Sequence, residues 1–161
     1  MAKKEEKTNV MRVLEQKQIP YTAHTYPADG PTDGVSVANY LHQDVEQVLK
    51  TLVTKATSGI YYVFDIPVAE NLDLKKAAKA VGEKSIAMIP QKELLPLTGY
   101  VHGGCSPVGM KKQFHTVFHE TVILFDTICV SAGKIGAQVE VAPDALIALL
   151  GADTADVVVE A

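Results

Sequence analysis

Lys50 lies in the segment VLKTLVTKA (48–56), where Val48, Lys50 and Leu52 share one face of a strand and Leu49, Thr51 and Val53 share the other. Both faces are otherwise apolar, so the strand reads as central and the ammonium meets mostly nonpolar neighbours. A charge in such a place is costly unless it finds an acid, an anionic ligand or a lowered pKa. The plainer alternative is an edge-strand lysine that blocks aggregation or snorkels to water.

The second chemical feature is Gly103-Gly104-Cys105-Ser106-Pro107-Val108-Gly109. Its glycines allow the backbone to approach a ligand closely and to turn N–H groups toward it. Such donors can hold a carbonyl oxygen while negative charge builds on it during ester cleavage. The segment lacks the spacing and the Lys-Ser/Thr ending of a Walker loop, and a plain turn explains it equally well. The third is Ser131-Ala132-Gly133-Lys134-Ile135-Gly136, where two glycines and a cation suit an anionic ligand, or simply a tight hairpin.

Other candidates carry less. His115 and His119 would align on a helix, but FHTVFH reads as strand or irregular chain and no third ligand is near, so no metal is expected. Cys105 beside His102 could be taken for a nucleophile, but no orienting acid is evident. Lys75, Lys76 and Lys79 form a basic stripe and Lys111 and Lys112 a local pair; these are solvated faces, or the natural place for nucleic-acid phosphates.

Stepping outward from these residues, TNVMRVLEQKQ (8–18) sets Val10, Val13, Leu14 and Lys17 at helical spacing, and Pro20 stops the helix. YTAHTY (21–26) alternates like a strand, PADGPTDG (27–34) is a loop, and Ser36 is placed to cap a short helix through Leu41. The strands 48–56 and 60–66 are joined through Thr57-Ser58-Gly59. Asp73 caps LKKAAKAV, Gly82 closes it, and Pro90 opens PQKELLPL. Strands follow around TVILFD (121–126), ICVS (128–131) and QVEVA (138–142); Pro143 starts a last helix that Gly151 stops, and DVVVE is a final strand. The pattern is mixed α/β (α+β) without regular strand–helix alternation, in one compact domain.

Composition sets limits on partners. The chain has 161 residues, 47% of them hydrophobic, which suits one domain with a real core. No apolar run approaches the ~20 residues that span a bilayer, and MAKKEEKTNV lacks the apolar stretch of a secretory signal, so a cytoplasmic, non-membrane protein is expected. Two cysteines are too few for a disulfide framework. The net charge is −4 and Arg12 is the one arginine among fifteen basic residues, so any nucleic acid must be held by a local patch.

Taken together the segments resemble the YbaK/EbsC family, free-standing prolyl-tRNA editing proteins related to the insertion domain of bacterial prolyl-tRNA synthetase. The resemblance runs through IPYTAHTY (19–26), LKTLV (49–53), LKKAAKAVG (74–82), GYVHGGCSPVGMKK (99–112) and ICVSAGKIGAQVEVAP (128–143). It implies one editing domain over residues 1–161, with a central mixed, largely antiparallel sheet curled toward a barrel and flanked by helices.

The resemblance also implies an enzyme without cofactor that hydrolyses the ester of a mischarged amino acid on the 3′ end of proline tRNA, Cys-tRNA(Pro) above all, with prolyl-tRNA synthetase as a possible partner. The family lysine matches Lys50, taken to bind the terminal adenosine or its phosphate and position the ester. Tyr26 matches a pocket tyrosine; Gly103, Gly104, Ser106, Pro107 and Gly109 match the amino-acid pocket, and Ser131, Gly133, Lys134 and Gly136 its other wall. Position 105 varies in that signature, so Cys105 is not implied to be catalytic. The family is thought to let the substrate thiol attack its own ester, with the protein supplying orientation and oxyanion donors. The alternatives are an alanyl-tRNA(Pro) deacylase using a bound water, or a noncatalytic module that binds tRNA ends.

Overall fold

The computed structural model describes residues 7–160, so the amino-terminal residues read above as lacking a signal lie partly outside the described residues. Helix α1 (Asn9–Gln16) starts where the Thr8 side chain accepts from the Met11 N–H, and it buries Val10, Met11 and Leu14 on one face. Strand β1 (Thr22–Thr25) and a loop lead to α2 (Gly34–Tyr40). The cap of α2 is Asp33 and not Ser36: Asp33 Oδ1 accepts from the Ser36 N–H at 2.9 Å and Oδ2 from the Ser36 hydroxyl at 2.8 Å. The reason is positional, because a cap serves the N–H three residues later, and Ser36 is that third residue.

Strands β2 (Leu49–Ala56) and β3 (Tyr61–Pro67) form an antiparallel pair in which Lys50 faces Ile66 and Thr51 faces Asp65. After α3 (Leu74–Ala80), capped by Asp73, come β4 (Ile86–Met88), a 3₁₀ turn at Gln91–Glu93 and α4 (Leu94–Thr98). The glycine loop leads to β5 (His115–His119), and β6 (Ile128–Ser131), β7 (Ala137–Val141), α5 (Pro143–Leu150) and β8 (Asp153–Ala155) complete the chain.

The fold is mixed α/β with the strands in two sheets, ordered β4-β2-β3-β5-β8 and β1-β7-β6. Four of the six pairings are antiparallel, while β3–β5 and β5–β8 are parallel. Among the described residues no closed barrel forms; an isolated parallel bridge, Val48 to Cys129, joins the sheets at one point. The main core, between the sheets and under α1 and α5, includes Leu14, Leu49, Val63, Phe118, Ile128, Val139 and Leu146. A second cluster packs α3 against the other face of the larger sheet through Ala77, Phe64, Ile66 and Val117.

Two expected strands differ. TVILFD is a 3₁₀ helix over Glu120–Leu124, because the chain must leave β5 and cross to the other sheet; Val122 is buried there while Ile123 and Leu124 face outward. DVVVE is no strand apart from a single bridge of Val158 to Leu72, since the carboxy-terminal strand has already formed at Asp153–Ala155. Among the described residues, no helix is long and apolar enough to cross a membrane.

Candidate functional site

Where the two sheets part beyond the Val48–Cys129 bridge, a cavity of about 300 Å³ opens. One wall is β2, through every residue from Val48 to Leu52. Tyr26 and the start of α2 form the rim, Ser131 and Gln138 come from the smaller sheet, and His102, Gly103 and Cys105 come from the glycine loop. The close seat of α2 depends on Gly34, where an added Cβ would lie 2.4 Å from Val68 Cγ1.

Lys50 is half-buried on this wall, and burial lowers its pKa, with Glu70 acting in the opposite direction. The strand is not central at this point: β4 pairs only with Thr54, Lys55 and Ala56, so the first half of β2 is an edge. The lysine is thus brought to an edge, yet one that borders a cavity.

The glycine loop divides into two parts. His102, Gly103 and Cys105 reach the cavity, whereas Ser106 is fully buried and its Oγ accepts from the Val108 N–H at 3.2 Å. Pro107 is buried and Gly109 sits against Asn9 and the Tyr100 hydroxyl, so this part anchors the loop away from the cavity. The Tyr100 hydroxyl donates to the Val108 carbonyl at 2.5 Å. Gly104 does not line the cavity: a Cβ there would meet the Ile135 nitrogen at 2.9 Å and the Lys134 carbonyl carbon at 3.0 Å. The two glycine segments therefore lie backbone against backbone. In the second segment Ser131 reaches the cavity; Lys134 is exposed and outside its lining, Gly133 packs on Tyr100 and Val10, and Gly136 accepts the Tyr26 N–H at 2.9 Å. Of the expected site residues, Tyr26, Lys50, Gly103 and Ser131 meet in one cavity, while Gly104, Ser106, Pro107, Gly109, Gly133, Lys134 and Gly136 support it from behind or beside.

Cys105 is a cavity residue without the marks of a nucleophile. Burial and the nearby Asp65 charge push its thiol up to about 12, where the thiolate is scarce. Asp65 is a further residue at this place that the sequence pattern does not single out. It is fully buried opposite Thr51, whose hydroxyl donates to Oδ1 at 2.5 Å, and among the described residues its Oδ2 has no hydrogen-bond partner. Burial pushes its pKa up to about 7, with the Thr51 hydrogen bond pulling the other way. The signal was a lone acid in the apolar run YYVFDI, on the same strand face as Val63.

The histidines expected not to form a metal site, His115 and His119, have separate partners. His115 Nε2 pairs with Asp153 at 2.6 Å, and His119 Nδ1 accepts from the Val157 N–H at 3.3 Å. A different trio, His24, Cys129 and Glu140, brings its ligand atoms within 4.8 Å of one another on the smaller sheet. There Glu140 is engaged at both oxygens, by His24 Nε2 at 2.7 Å and the Thr127 hydroxyl at 2.5 Å.

Among the described residues the cavity offers an ammonium and a largely apolar lining, with no activated base–nucleophile pair. Against known proteins, the aminoacyl-tRNA editing domain family matches residues 32–149. A protein of Enterococcus faecalis (strain ATCC 700802 / V583), named "Putative Cys-tRNA(Pro)/Cys-tRNA(Cys) deacylase EbsC", is 42% identical over 160 residues, covering 98% of each chain. The solved structure of "a putative trans-editing enzyme for prolyl tRNA synthetase" has a TM-score of 0.82 at 26% identity, over 94% of this chain and 95% of that one. The structure of a hypothetical protein at 21% identity, with a TM-score of 0.85 over 93% of this chain and 99% of that one, shares the fold.

Proposed function

Because this chain belongs to the aminoacyl-tRNA editing domain family, we propose that it is a trans-editing deacylase that hydrolyses mischarged Cys-tRNA(Pro) in the cytoplasm, residues 1–161 forming one editing domain. The observation that carries this reading is the 42% identity, over nearly the whole of both chains, to the protein named for that activity. The cavity supports it, since Lys50 and the cavity-facing part of the glycine loop border the same space.

In this reading Lys50 holds the anionic or polar 3′ end of the tRNA and places the ester along β2. The substrate supplies the nucleophile. Its thiolate sulfur attacks the ester carbonyl carbon, the new C–S bond closes a β-thiolactone, and the C–O bond to the adenosine 3′ oxygen breaks as that oxygen takes a proton. Water then opens the thiolactone to free cysteine. The protein contributes orientation and donors for the oxyanion, both large terms in rate. Net charge of −4 fits an editor that leaves the tRNA body to a partner such as prolyl-tRNA synthetase.

Deacylation of cysteinyl-, seryl- and alanyl-tRNA(Pro) by the purified protein tests the scheme. Cysteinyl-tRNA is expected to react at least about a hundredfold faster, as befits an intramolecular nucleophile. Equal rates would remove the substrate-thiol step, and binding without any turnover would leave a tRNA-end binding module.

A further inference from the structure

The cavity is lined by five consecutive residues, Val48 to Leu52. Side chains of a strand alternate between its faces, so an unbroken run can border one cavity only if the cavity lies along the strand's edge. The hydrogen-bond parity identifies that edge. The Val68 N–H donates to the Val48 carbonyl at 2.9 Å, so even-numbered residues of β2 direct their peptide groups toward β3. Those of Gln47, Leu49, Thr51 and Val53 point the other way.

At one end of this free edge the Cys129 N–H donates to the Gln47 carbonyl at 3.0 Å, in the parallel bridge that also engages the Leu49 N–H. At the other end the Ile89 N–H donates to the Val53 carbonyl at 3.3 Å, and β4 pairs from Thr54 onward. Between these points neither β6 nor β4 reaches the Leu49 carbonyl or the Thr51 N–H. Had β6 continued in parallel register, Ser131 would have bonded both. After Cys129, β6 stays paired with β7 and leaves β2, so Ser131 and Gln138 face β2 across the cavity. The Thr51 hydroxyl is turned toward Asp65, which leaves the main-chain groups and the Lys50 ammonium as the polar content of this stretch.

We propose that this open edge binds the aminoacyl group of the substrate as the missing residue of a parallel strand: the α-ammonium donates to the Leu49 carbonyl, and the ester carbonyl accepts from the Thr51 N–H. The proposal rests on the editing reading above. An α-aminoacyl ester has a donor and an acceptor flanking one α-carbon, as the N–H and C=O of a single residue do, so it fits a gap one residue long. The Thr51 N–H also lies where charge builds on the carbonyl oxygen, making it an oxyanion donor. Lys50, between the two main-chain contacts, remains for the nucleotide side of the ester.

The test uses uniformly ¹⁵N-labelled full-length protein and a cysteinyl-3′-amino-3′-deoxyadenosine mimic, whose amide resists hydrolysis. On binding, the Thr51 amide resonance shifts and its hydrogen exchange slows at least about tenfold, while the Leu52 amide, already bonded to β3, changes little. The 3-mercaptopropionyl analogue, which lacks the α-ammonium, binds at least about tenfold more weakly. Turnover of Cys-tRNA(Pro) with an unmoved Thr51 amide, or with equal affinity for the two mimics, overturns the edge assignment and leaves the editing reading standing. No turnover together with no binding overturns both.

Discussion

Along β2, residues Thr54–Ala56 are closed on both edges, by β3 and by β4, whereas the stretch before Val53 has β3 on one edge and a cavity on the other. Each half carries a lysine. Lys55 in the closed half is exposed, its ammonium 5.3 Å from the centre of the Tyr61 ring. Lys50 in the open half is partly desolvated, and burial lowers its pKa. One residue type on one strand thus meets two environments, the two side chains leaving opposite faces of the sheet and only Lys50 bordering the cavity. The largest expected effect follows directly. Lys50→Ala lowers deacylation of Cys-tRNA(Pro) by at least about a hundredfold, the scale for losing one preorganised electrostatic contact, with the melting temperature little changed. Lys55→Ala leaves the rate within about twofold, because exposed contacts of this kind contribute little. Comparable losses in both variants would erase the distinction between the halves.

Polar satisfaction divides the strand in the same way. In the closed half the buried Thr54 hydroxyl donates to the Tyr62 carbonyl at 2.9 Å. In the open half Thr51 bonds a buried carboxyl whose second oxygen has no partner among the described residues. Burying such a group raises its pKa because the charged form is the one that loses hydration. Asp65, at about 7 when folded, stands above its unfolded value of about 3.9. The native state therefore holds the proton longer, and this group's contribution to stability falls as pH rises from about 4 to about 7, then levels off. The full span corresponds to roughly 4 kcal/mol. Asp65→Asn keeps an acceptor for Thr51 and removes the titration. Denaturant unfolding is expected to show the variant close to wild type at pH 4.5 and about 1–4 kcal/mol more stable at pH 7.5. A difference that does not vary with pH counts against a buried, titrating Asp65.

What could be read from residue order alone follows the same boundary. Local signals were sufficient for α1, for the 48–66 hairpin, for Asp73 and Gly82 around α3, and for Pro143 and Gly151 around α5, because each depends on neighbours in the chain. Residue type and spacing point to Lys50, Gly103 and Ser131, the resemblance adds Tyr26, and the four border one cavity. The open edge was not legible: whether β2 is central or marginal at Lys50 depends on how far β4, more than thirty residues away, extends along it. The same holds for TVILFD, whose apolar run suits a strand until the crossing between sheets requires a turn. Ser106 misled differently. A hydroxyl within a glycine loop looks ligand-facing, yet here it stabilises the loop's own turn.

The smallest expected effect concerns the other cavity residue on the open side, Cys105. A thiol in a cavity invites a nucleophilic role, and the open half of β2 is where such a group would act. Nucleophilic cysteines need a lowered pKa or an adjacent base. Cys105 has the reverse, since burial and the Asp65 charge push the thiol up to about 12 and the Thr98 side-chain hydrogen bond only partly opposes them. The covalent route would also duplicate a thiol that a cysteinyl substrate already carries. Cys105→Ala is therefore expected to keep deacylation of Cys-tRNA(Pro) within about threefold, and to cost stability of about 1 kcal/mol for the lost packing of a small buried side chain. Single-turnover rates on the purified variant decide it. A loss beyond tenfold, more than about 1.4 kcal/mol in the barrier, with the fold intact by circular dichroism, would restore Cys105 as the attacking group and move the chemistry from the substrate to the protein.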